Sequence, residues 1–227
     1  MISIVMPVYD ISPQIELMTR KAIGTVHKNT IGEYEMIIVL NGSPRIGNYD
    51  DFKPITLPER QSIATAYNIG FQEAIGNYFC CLHNDAFVTR GWNLSLQKEA
   101  SKGNIAFPEI KGEEIDPIPE WMPPGCCFVI TRREWIKLGG YDENFEPLHG
   151  EDIDLFTRAT KAGIKLIRCN SVVYHKRGAT RFLLPDKGIG SLAVNLRKWA
   201  LKHITDEIKA TKGDICLPKL SNIDGEK

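Results

Sequence analysis

The sequence predicts an α/β fold with a Rossmann-like, mainly parallel sheet that is flanked by helices. Continuous apolar runs at Ile2–Val8 and Tyr78–Leu82 are typical of strands that are buried on both faces. Segments with a helical spacing of apolar residues separate such runs, so strand and helix alternate as in right-handed βαβ units. After about residue 90 the alternation becomes irregular, which predicts a second half of mixed character.

The first half contains the clearest helix and turn signals. The first helix is expected to begin at Ser12 and Pro13, because serine caps helices and proline suits the first turn. The other elements predicted before Tyr78 are a strand over Met36–Leu40, a short strand over Ile55–Leu57 and a helix over Ser62–Ile75 that ends at Gly76.

The second half is expected to contain shorter elements. They are a helix over Trp92–Ala100, strands over Ile105–Phe107 and Cys126–Ile130, a short helix through Leu138, a helix over Asp152–Ala162, strands over Lys165–Ile167 and Val172–Tyr174, and a helical pattern from Ile189 to Ile208. We therefore divide the chain into a domain at residues 1–185, with halves at 1–90 and 91–185, and a C-terminal helix and tail at 186–227.

Composition narrows the class of protein. The chain has 28 Lys and Arg against 28 Asp and Glu, and a net charge of zero argues against a broad surface for nucleic acid or anionic membrane. The N-terminus lacks the basic start of a signal peptide, and no apolar run reaches the ~18 residues of a membrane span. We expect a cytoplasmic protein with no membrane span, and the sequence predicts no particular oligomeric state.

The six cysteines predict free thiols rather than disulfides. Cys80–Cys81 and Cys126–Cys127 are adjacent pairs in strand-like runs, where neighbouring side chains point to opposite faces and cannot readily bridge to each other. No CxxC spacing indicates zinc, so buried thiols in a reducing compartment are expected.

Two histidines and one aspartate are the candidates for metal binding. The triplet His83-Asn84-Asp85 follows one strand-like run, and His175 follows another. Such side chains at the end of a buried strand can hold a divalent cation that grips a diphosphate. Arg177 and Arg181, beyond His175, can meet phosphate oxygens. A turn cap at Asp85 and ordinary surface histidines are the simpler alternative.

Glu151 and Asp152 open a predicted helix. Exposed N–H groups favour carboxylates at such a position, so simple helix capping is one interpretation. The functional alternative is a general base aimed at an acceptor hydroxyl. Asp154 lies two residues further along and faces another side of the helix, so it is not expected to be a second catalytic carboxylate.

The segment Asn41-Gly42-Ser43 ends a predicted strand. In an open α/β sheet this edge is where nucleotides usually bind, although a plain turn explains the segment equally well.

Taken together, these segments resemble the family-2 glycosyltransferases of the GT-A fold, over roughly residues 2–180. The opening SIVMPVYD is similar to that family's first strand, IIVLNGS is similar to its "vvvDNGS" segment, and His83-Asn84-Asp85 stands in the place of its DxD triplet. The run from Gly150 through Leu155, with Arg158 and Gly163, matches the family pattern GEDxDLxxRxxxxG. Val173-Tyr174-His175 resembles the late histidine that completes metal binding.

The resemblance implies an inverting glycosyltransferase that moves a sugar from a nucleotide-diphosphate sugar to an acceptor hydroxyl. Asp85 and His175 would hold the metal, with His83 in the place of the first DxD carboxylate. Asp152 would act as the general base, and Glu151 would orient the acceptor or the base. The acceptor is left open between a glycan, a lipid-linked saccharide, a protein side chain and a modified nucleobase.

The same resemblance implies binding residues for donor and acceptor. Residues expected to contact the nucleotide sugar are Pro7, Val8, Tyr9, Asp10, Asn41, Asn68, Asn84, Arg177 and Arg181. On the acceptor side we expect Gly125 and also Trp121, because indole faces stack well on sugar rings. An anchor that tucks the loop into the core is the alternative role of Trp121.

Two departures from the family pattern affect the expected cofactors. Leu40 stands where the family usually has an aspartate near the base and ribose, and His83 replaces one carboxylate. Imidazole together with carboxylate suits Mn²⁺ better than Mg²⁺, so we predict a Mn²⁺-preferring enzyme whose donor is a UDP-sugar.

The departures also motivate a second hypothesis, in which a degenerate GT-A domain binds a nucleotide or glycan without turnover. A nucleotidyltransferase of related topology ranks last, because Tyr9–Pro13 lacks a Gly-rich loop for a triphosphate.

The predicted C-terminal helix has an apolar stripe and a basic face with Arg197, Lys198, Lys202 and Lys209. Such a helix can lie peripherally on a membrane surface. Docking onto its own domain is favoured, because Asp206 and Glu207 dilute the positive charge.

Overall fold

Eight strands form one sheet in the part of the chain that the structure describes. This computed structural model describes residues 1–44, 47, 49, 52, 54–112, 123–176 and 189–210, with the side chains of 192–204 in the last range. The strands are β1 (Ile2–Val8), β2 (Tyr34–Asn41), β3 (Ile55–Leu57), β4 (Tyr78–Leu82), β5 (Ala86–Val88), β6 (Ile105–Lys111), β7 (Cys127–Thr131) and β8 (Leu166–His175). Their order across the sheet is β3-β2-β1-β4-β7-β6-β8-β5.

The sheet changes character at β4. β1 lies parallel to β2 and to β4, with Ile4 opposite Met36 on one side and Cys80 on the other, and β3 extends this parallel half beyond β2. β7 then runs antiparallel to both β4 and β6, and β5 runs antiparallel to β8. The parallel first half and mixed second half confirm the predicted α/β class.

Six helices flank the described sheet, and capping side chains fix where several of them begin. They are α1 (Pro13–Asn29), α2 (Ile63–Glu73), α3 (Trp92–Ala100), α4 (Arg132–Leu138), α5 (Glu151–Lys161) and α6 (Ile189–Ala210). The predicted cap at Ser12 is confirmed, since its Oγ accepts a hydrogen bond from the Ile15 N–H. Ser62 caps α2 in the same way through the Thr65 N–H.

Alternation along the strands separates two apolar cores. Ile4 and Cys80 enter one core, which α1 and α3 cover, while Val5 and Cys81 enter the other, which α2, α4 and α5 cover. The side chains of Cys80 and Cys81 therefore point to opposite faces of the sheet, as predicted. The five described cysteines are buried free thiols.

Several predicted strand boundaries differ from those in the structure. The two strands predicted at Lys165–Ile167 and Val172–Tyr174 are one strand, β8, whose pairing jumps from Phe107–Arg168 to Glu109–Val172. The polar residues between form a bulge there, which broke the apolar pattern without ending the strand. The strand predicted from Cys126 begins at Cys127, and β5, only three residues long, was not predicted.

Gly76 does not end α2. The helix ends at Glu73, and Ala74 already has extended backbone. Gly76 instead lies against β1, where its N–H donates to Ser3 Oγ at 2.8 Å and a Cβ would overlap that hydroxyl. Glycine is required here for close approach of two backbones rather than for a helix stop.

The C-terminal helix docks on its own domain, as predicted, but through polar groups. Trp199 Nε1 donates to Thr157 Oγ1 of α5 at 3.0 Å, and His203 Nε2 lies 2.7 Å from Asp154 Oδ1. Leu192 and Leu196 of the predicted apolar stripe remain 40% exposed. Among the described helices, none combines the length and apolar character that crossing a bilayer requires.

Candidate active site

Three metal-capable side chains meet at the carboxyl end of β4. The strand ends at Leu82 and delivers His83 and Asp85, and the pairing of β5 with β8 places Ala86 opposite His175. His175 Nε2 lies 3.0 Å from Asp85 Oδ1, and His83 Nδ1 lies 3.9 Å from the same oxygen. One ligand atom from each of the three residues falls within 4.8 Å of the others. The predicted metal residues therefore lie together.

Backbone hydrogen bonds hold this turn from three sides. The Ala86 N–H donates to the His83 carbonyl at 3.2 Å, which closes the turn between β4 and β5. The His83 N–H donates to the Cys126 carbonyl, and the Lys176 N–H donates to the Asp85 carbonyl, both at 2.9 Å. The three potential ligands are thus attached to a rigid frame.

Burial and close neighbours shift the pKa values of all three side chains in this cluster. Burial alone would raise the pKa of Asp85, but the hydrogen bond and charge of His175 outweigh it and lower the pKa below its usual range. Burial lowers the pKa of His83, so its imidazole is neutral at physiological pH. Burial opposes a proton on His175 as well, yet the neighbouring Cys126 and Asp85 raise its pKa to about 10.

The donor set fits a divalent metal ion. Nitrogen and oxygen ligands lie about 2.1 Å from a bound transition ion, so adjacent ligand atoms are about 3 Å apart. The separation of 3.0 Å between His175 Nε2 and Asp85 Oδ1 matches that spacing, and His83 is near enough to join them. One carboxylate with two imidazoles is a set that suits Mn²⁺ and other transition ions.

A second pair of side chains, Glu151 and Asp152, begins α5. The helix starts after two residues in the left-handed region, His149 with φ of 72° and Gly150 with φ of 95°. Burial and the adjacent Asp152 carboxylate raise the pKa of Glu151 to about 8, and burial also raises the pKa of Asp152. No described residue hydrogen-bonds to Glu151 Oε2, which is buried. This pair has the raised basicity that a proton acceptor needs.

Gly125 connects the carboxylate pair to the metal cluster. A Cβ at position 125 would overlap the Asp152 carboxylate, so the two residues touch. The next residue, Cys126, bonds to His83 through its carbonyl, and its thiol neighbours His175. The residues predicted as metal ligands and as base are therefore linked through Gly125 and Cys126. The predicted contact of Gly125 with an acceptor stays a prediction.

The residues predicted to line the nucleoside pocket lie at the ends of β1 and β2. Pro7 and Val8 are buried in β1, and the Arg60 guanidinium lies 4.9 Å from the centre of the Tyr9 ring. Asp10 is fully buried: it accepts a hydrogen bond of 2.6 Å from Tyr49, and burial raises its pKa. The Asp10 carboxyl thus ties the chain after β1 to Tyr49.

The three asparagines predicted to contact the donor bond to neighbouring elements. Asn41 exchanges two hydrogen bonds with the Gln61 backbone, and Asn84 donates to Thr19 Oγ1 at 3.0 Å. Asn68 donates to the Tyr141 carbonyl and accepts from the Tyr141 N–H, both at 3.0 Å. These contacts brace the loops around the site. Trp121, Arg177 and Arg181 lie outside the described residues.

Two features of the site were not predicted from the sequence. Cys126 follows the predicted residue Gly125, but only the fold shows that its thiol adjoins His175. Asp154 was predicted to face away from the site and does so, yet its role in holding α6 depends on Lys202 and His203, which lie 48 and 49 positions later in the chain. No local sequence motif predicts such a contact.

Comparison with known proteins identifies the family. A family model described as Glycosyl transferase family 2 matches residues 3–149, and one described as Glycosyltransferase like family 2 matches residues 113–199. An uncharacterized glycosyltransferase of Haemophilus influenzae is 30% identical over 131 residues, which cover 51% of this chain and 51% of that protein. The chain spans 51% or less of the length of the curated relatives that it matches.

Solved structures share the fold at low sequence identity. GalNAc-T7, solved with UDP, GalNAc and Mn²⁺, superposes with a TM-score of 0.66 at 17% identity, over 77% of this chain and 42% of that one. The mannosyltransferase PcManGT from Pyrobaculum calidifontis, solved with GDP-Man and Mn²⁺, gives 0.64 at 14% identity, over 94% of this chain and 65% of that one. Because the first family model spans more than half of the chain, the chain belongs to glycosyl transferase family 2, and its fold is the GT-A fold.

Proposed function

We propose that this protein transfers a sugar from a nucleoside-diphosphate sugar to an acceptor hydroxyl, with inversion at the anomeric carbon. The single observation that carries the proposal is that two consecutive residues link the two groups: Gly125 lies against Asp152, and the Cys126 carbonyl accepts from the His83 N–H of the metal-capable cluster. A metal cluster beside a basic carboxylate is the arrangement that such a transfer needs, because one binds the leaving diphosphate and the other activates the acceptor.

The metal would be held by Asp85 and His175, with His83 as a third ligand. When bound, the cation neutralises charge on the diphosphate and makes the nucleotide a better leaving group. We propose a preference for Mn²⁺ over Mg²⁺, because the donor set contains two imidazoles and one carboxylate. Equal turnover with both ions at matched concentration would contradict this preference.

Asp152 is the proposed general base. It takes the proton of the acceptor hydroxyl while the oxygen attacks the anomeric carbon, and the bond from that carbon to the phosphate oxygen breaks. Glu151, with its pKa raised to about 8, holds a proton at neutral pH and orients the acceptor as a hydrogen-bond donor. The absence of a side chain at Gly125 lets the Asp152 carboxylate lie directly against the backbone there.

The donor is proposed to bind over the carboxyl ends of β1 and β2, where Tyr9 stacks with Arg60. Leu40 is buried in the core and offers no polar contact to the nucleoside. Two structures with the same fold were solved with UDP and with GDP-Man. We propose a UDP-sugar as the donor and test GDP-sugars beside it.

Asp152→Asn tests the proposal directly. We expect turnover of the nucleotide sugar to fall by about 10²–10⁴-fold, because the amide cannot accept the proton. Binding of UDP with Mn²⁺, measured by calorimetry, should stay within about twofold, since Asp152 does not touch the donor in this proposal. The matched control is Asp142→Asn, an aspartate that pairs with Lys202 and should leave turnover unchanged.

The competing function is a domain that binds nucleotide without turnover, which Leu40 favours. A panel of UDP-, GDP-, dTDP- and CMP-sugars with Mn²⁺ separates the two. If the wild type binds one of them, seen as a raised melting temperature, but neither hydrolyses it nor transfers its sugar to any acceptor, the binding domain is correct and the enzyme is not.

A further inference from the structure

Asn195 of α6 bonds to the turn that precedes the carboxylate pair. Its Nδ2 lies 3.0 Å from the carbonyl oxygen of Glu146, and 2.9 Å from those of Leu148 and His149. The residue is fully buried, and no described group donates to its Oδ1. The side-chain amide of Asn195 therefore acts here only as a donor, and it donates to three carbonyl groups of one turn.

The turn itself has a backbone that needs such support. His149, which is not glycine, has φ of 72°, and Gly150 follows with φ of 95°. A non-glycine residue in the left-handed region is strained and persists only when its surroundings hold it there. A Cβ on Gly150 would press on Phe145 and on the Asn195 Cβ, so α6 packs directly against this point.

Other contacts fix the part of α6 that carries Asn195. Asp154, fully buried in the first turn of α5, accepts from Arg158 and lies 2.7 Å from both Lys202 Nζ and His203 Nε2. Trp199 bonds to Thr157 on the same side. Residues 195, 199, 202 and 203 share one face of the helix, so a single rigid surface holds both α5 and the turn before it.

We propose that Asn195 is a positioning residue for the transfer reaction, which holds the turn at residues 146–149 so that α5 presents Glu151 and Asp152 beside the metal cluster. This inference rests on the proposed function. Within the described part of the chain, the hydrogen bonds of Asn195 go to Glu146, Leu148 and His149, and not to the proposed metal ligands or nucleoside residues. Its loss should therefore lower kcat and leave the KM for the donor and the affinity for UDP with Mn²⁺ unchanged.

Asn195→Asp is the sharpest test, because it keeps the shape and replaces the donor with a carboxylate that faces three carbonyl oxygens. We expect kcat for hydrolysis of UDP-N-acetylgalactosamine or GDP-mannose with Mn²⁺, whichever the wild type turns over, to fall at least about tenfold. The KM for the same nucleotide sugar should change less than about twofold. Asn195→Ser, which is smaller and keeps one donor, should fall between the aspartate variant and the wild type.

The matched control is Asn93→Asp. Asn93 is also a fully buried asparagine on a helix, and its Nδ2 donates to the Ile31 carbonyl at 2.8 Å, far along the chain from this site. Both aspartate variants should lose stability, but only Asn195→Asp should lose kcat when each is assayed at least about 10 °C below its own melting temperature. Equal loss of kcat in both variants, or a rise in KM alone at Asn195, would overturn the proposal.

Hydrogen exchange separates this inference from the proposed function. In Asn195→Asp, amides of residues 150–154 should exchange faster than in the wild type, whereas in Asn93→Asp they should not. A wild type that turns over no nucleotide sugar would contradict the proposed function. Unchanged exchange at residues 150–154 in Asn195→Asp would contradict the positioning role of Asn195.

Discussion

Glu151 and Asp152 place two carboxyl groups side by side at the start of α5, where burial disfavours their charged forms. A buried carboxylate oxygen without a partner is costly for stability. Its retention at this position is understandable if the pair acts on a proton, because activity often needs a locally unfavourable arrangement. The trade between stability and activity can be measured at Glu151.

Glu151→Gln is expected to raise stability and lower turnover. The pKa of Glu151 rises from its usual 4.5 to about 8 in the folded protein, so within that window the folded chain holds a proton that the unfolded chain has released. Stability therefore falls as pH rises from about 5 to about 8. Glutamine removes this effect, so the melting temperature of the variant should exceed that of the wild type by an amount that grows from pH 5 to pH 8. Each kcal/mol of stability gained should raise the melting temperature by about 2–4 °C.

Glu99 supplies the control for this pH profile. The hydrogen bond from Lys102 lowers the pKa of Glu99, so Glu99→Gln should show no gain at any pH. A Glu151→Gln variant whose melting temperature follows that of the wild type from pH 5 to 8 would contradict the raised pKa.

Gly125→Ala tests whether Asp152 lies where the site needs it. The added Cβ would overlap the Asp152 carboxylate and displace it, so turnover should fall at least about tenfold while binding of UDP with Mn²⁺ persists. Gly24→Ala is the matched control, because that glycine lies within α1 and a Cβ there meets no atom within 4 Å. It should gain about 0.5–1 kcal/mol of stability and keep full turnover. Full turnover by the Gly125 variant would place the base elsewhere.

At the scale of elements, the α5–α6 contact is held by charge more than by apolar surface. Asp154 is fully buried between Arg158, Lys202 and His203, while five large apolar side chains of α6 remain exposed: Leu192, Val194, Leu196, Leu201 and Ile204. Burial alone would raise the pKa of Asp154, but hydrogen bonds from Lys202 and His203 lower it. The docking of α6 should therefore depend on pH.

Asp154→Asn is expected to destabilise the protein by about 3 kcal/mol at neutral pH, because it removes the fully buried carboxylate that pairs with Arg158 and Lys202. A carboxyl whose folded pKa is lowered adds stability above its unfolded value near 3.8, and this stability is lost as pH falls through the folded pKa. The free energy of unfolding in urea should thus differ fully between variant and wild type above about pH 4, and this difference should shrink as the pH falls further. Asp142→Asn, at a partly exposed ion pair, should cost less than about 1 kcal/mol.

The elements that the sequence predicted well are those with strong local signals. β1 and β4 have the bounds predicted, because a continuous apolar run leaves a buried strand little freedom in where it ends. β5 was missed because three residues carry no periodicity, and its existence depends on pairing with β8, some 85 residues later. The cluster of metal-capable residues was predictable by residue type, whereas the hydrogen bonds of Asn195 to the turn before α5 were not, since asparagine in a helix has no local signature.

At the scale of the whole molecule, the reversal of strand direction between β4 and β7 is the feature with the widest effect. β4 ends beside the point where β7 begins, since Leu82 pairs with Cys127. His83 therefore leaves the sheet at the place where Gly125 and Cys126 enter it. In a fully parallel sheet the start of a neighbouring strand would lie at the opposite edge.

This reversal fixes which backbone segment adjoins the end of β4. Paired strands lie about 4.8 Å apart, so His83 stays beside Cys126 whatever the length of the chain between β6 and β7. Related chains can therefore differ in the length of that connection and still keep these two residues in contact.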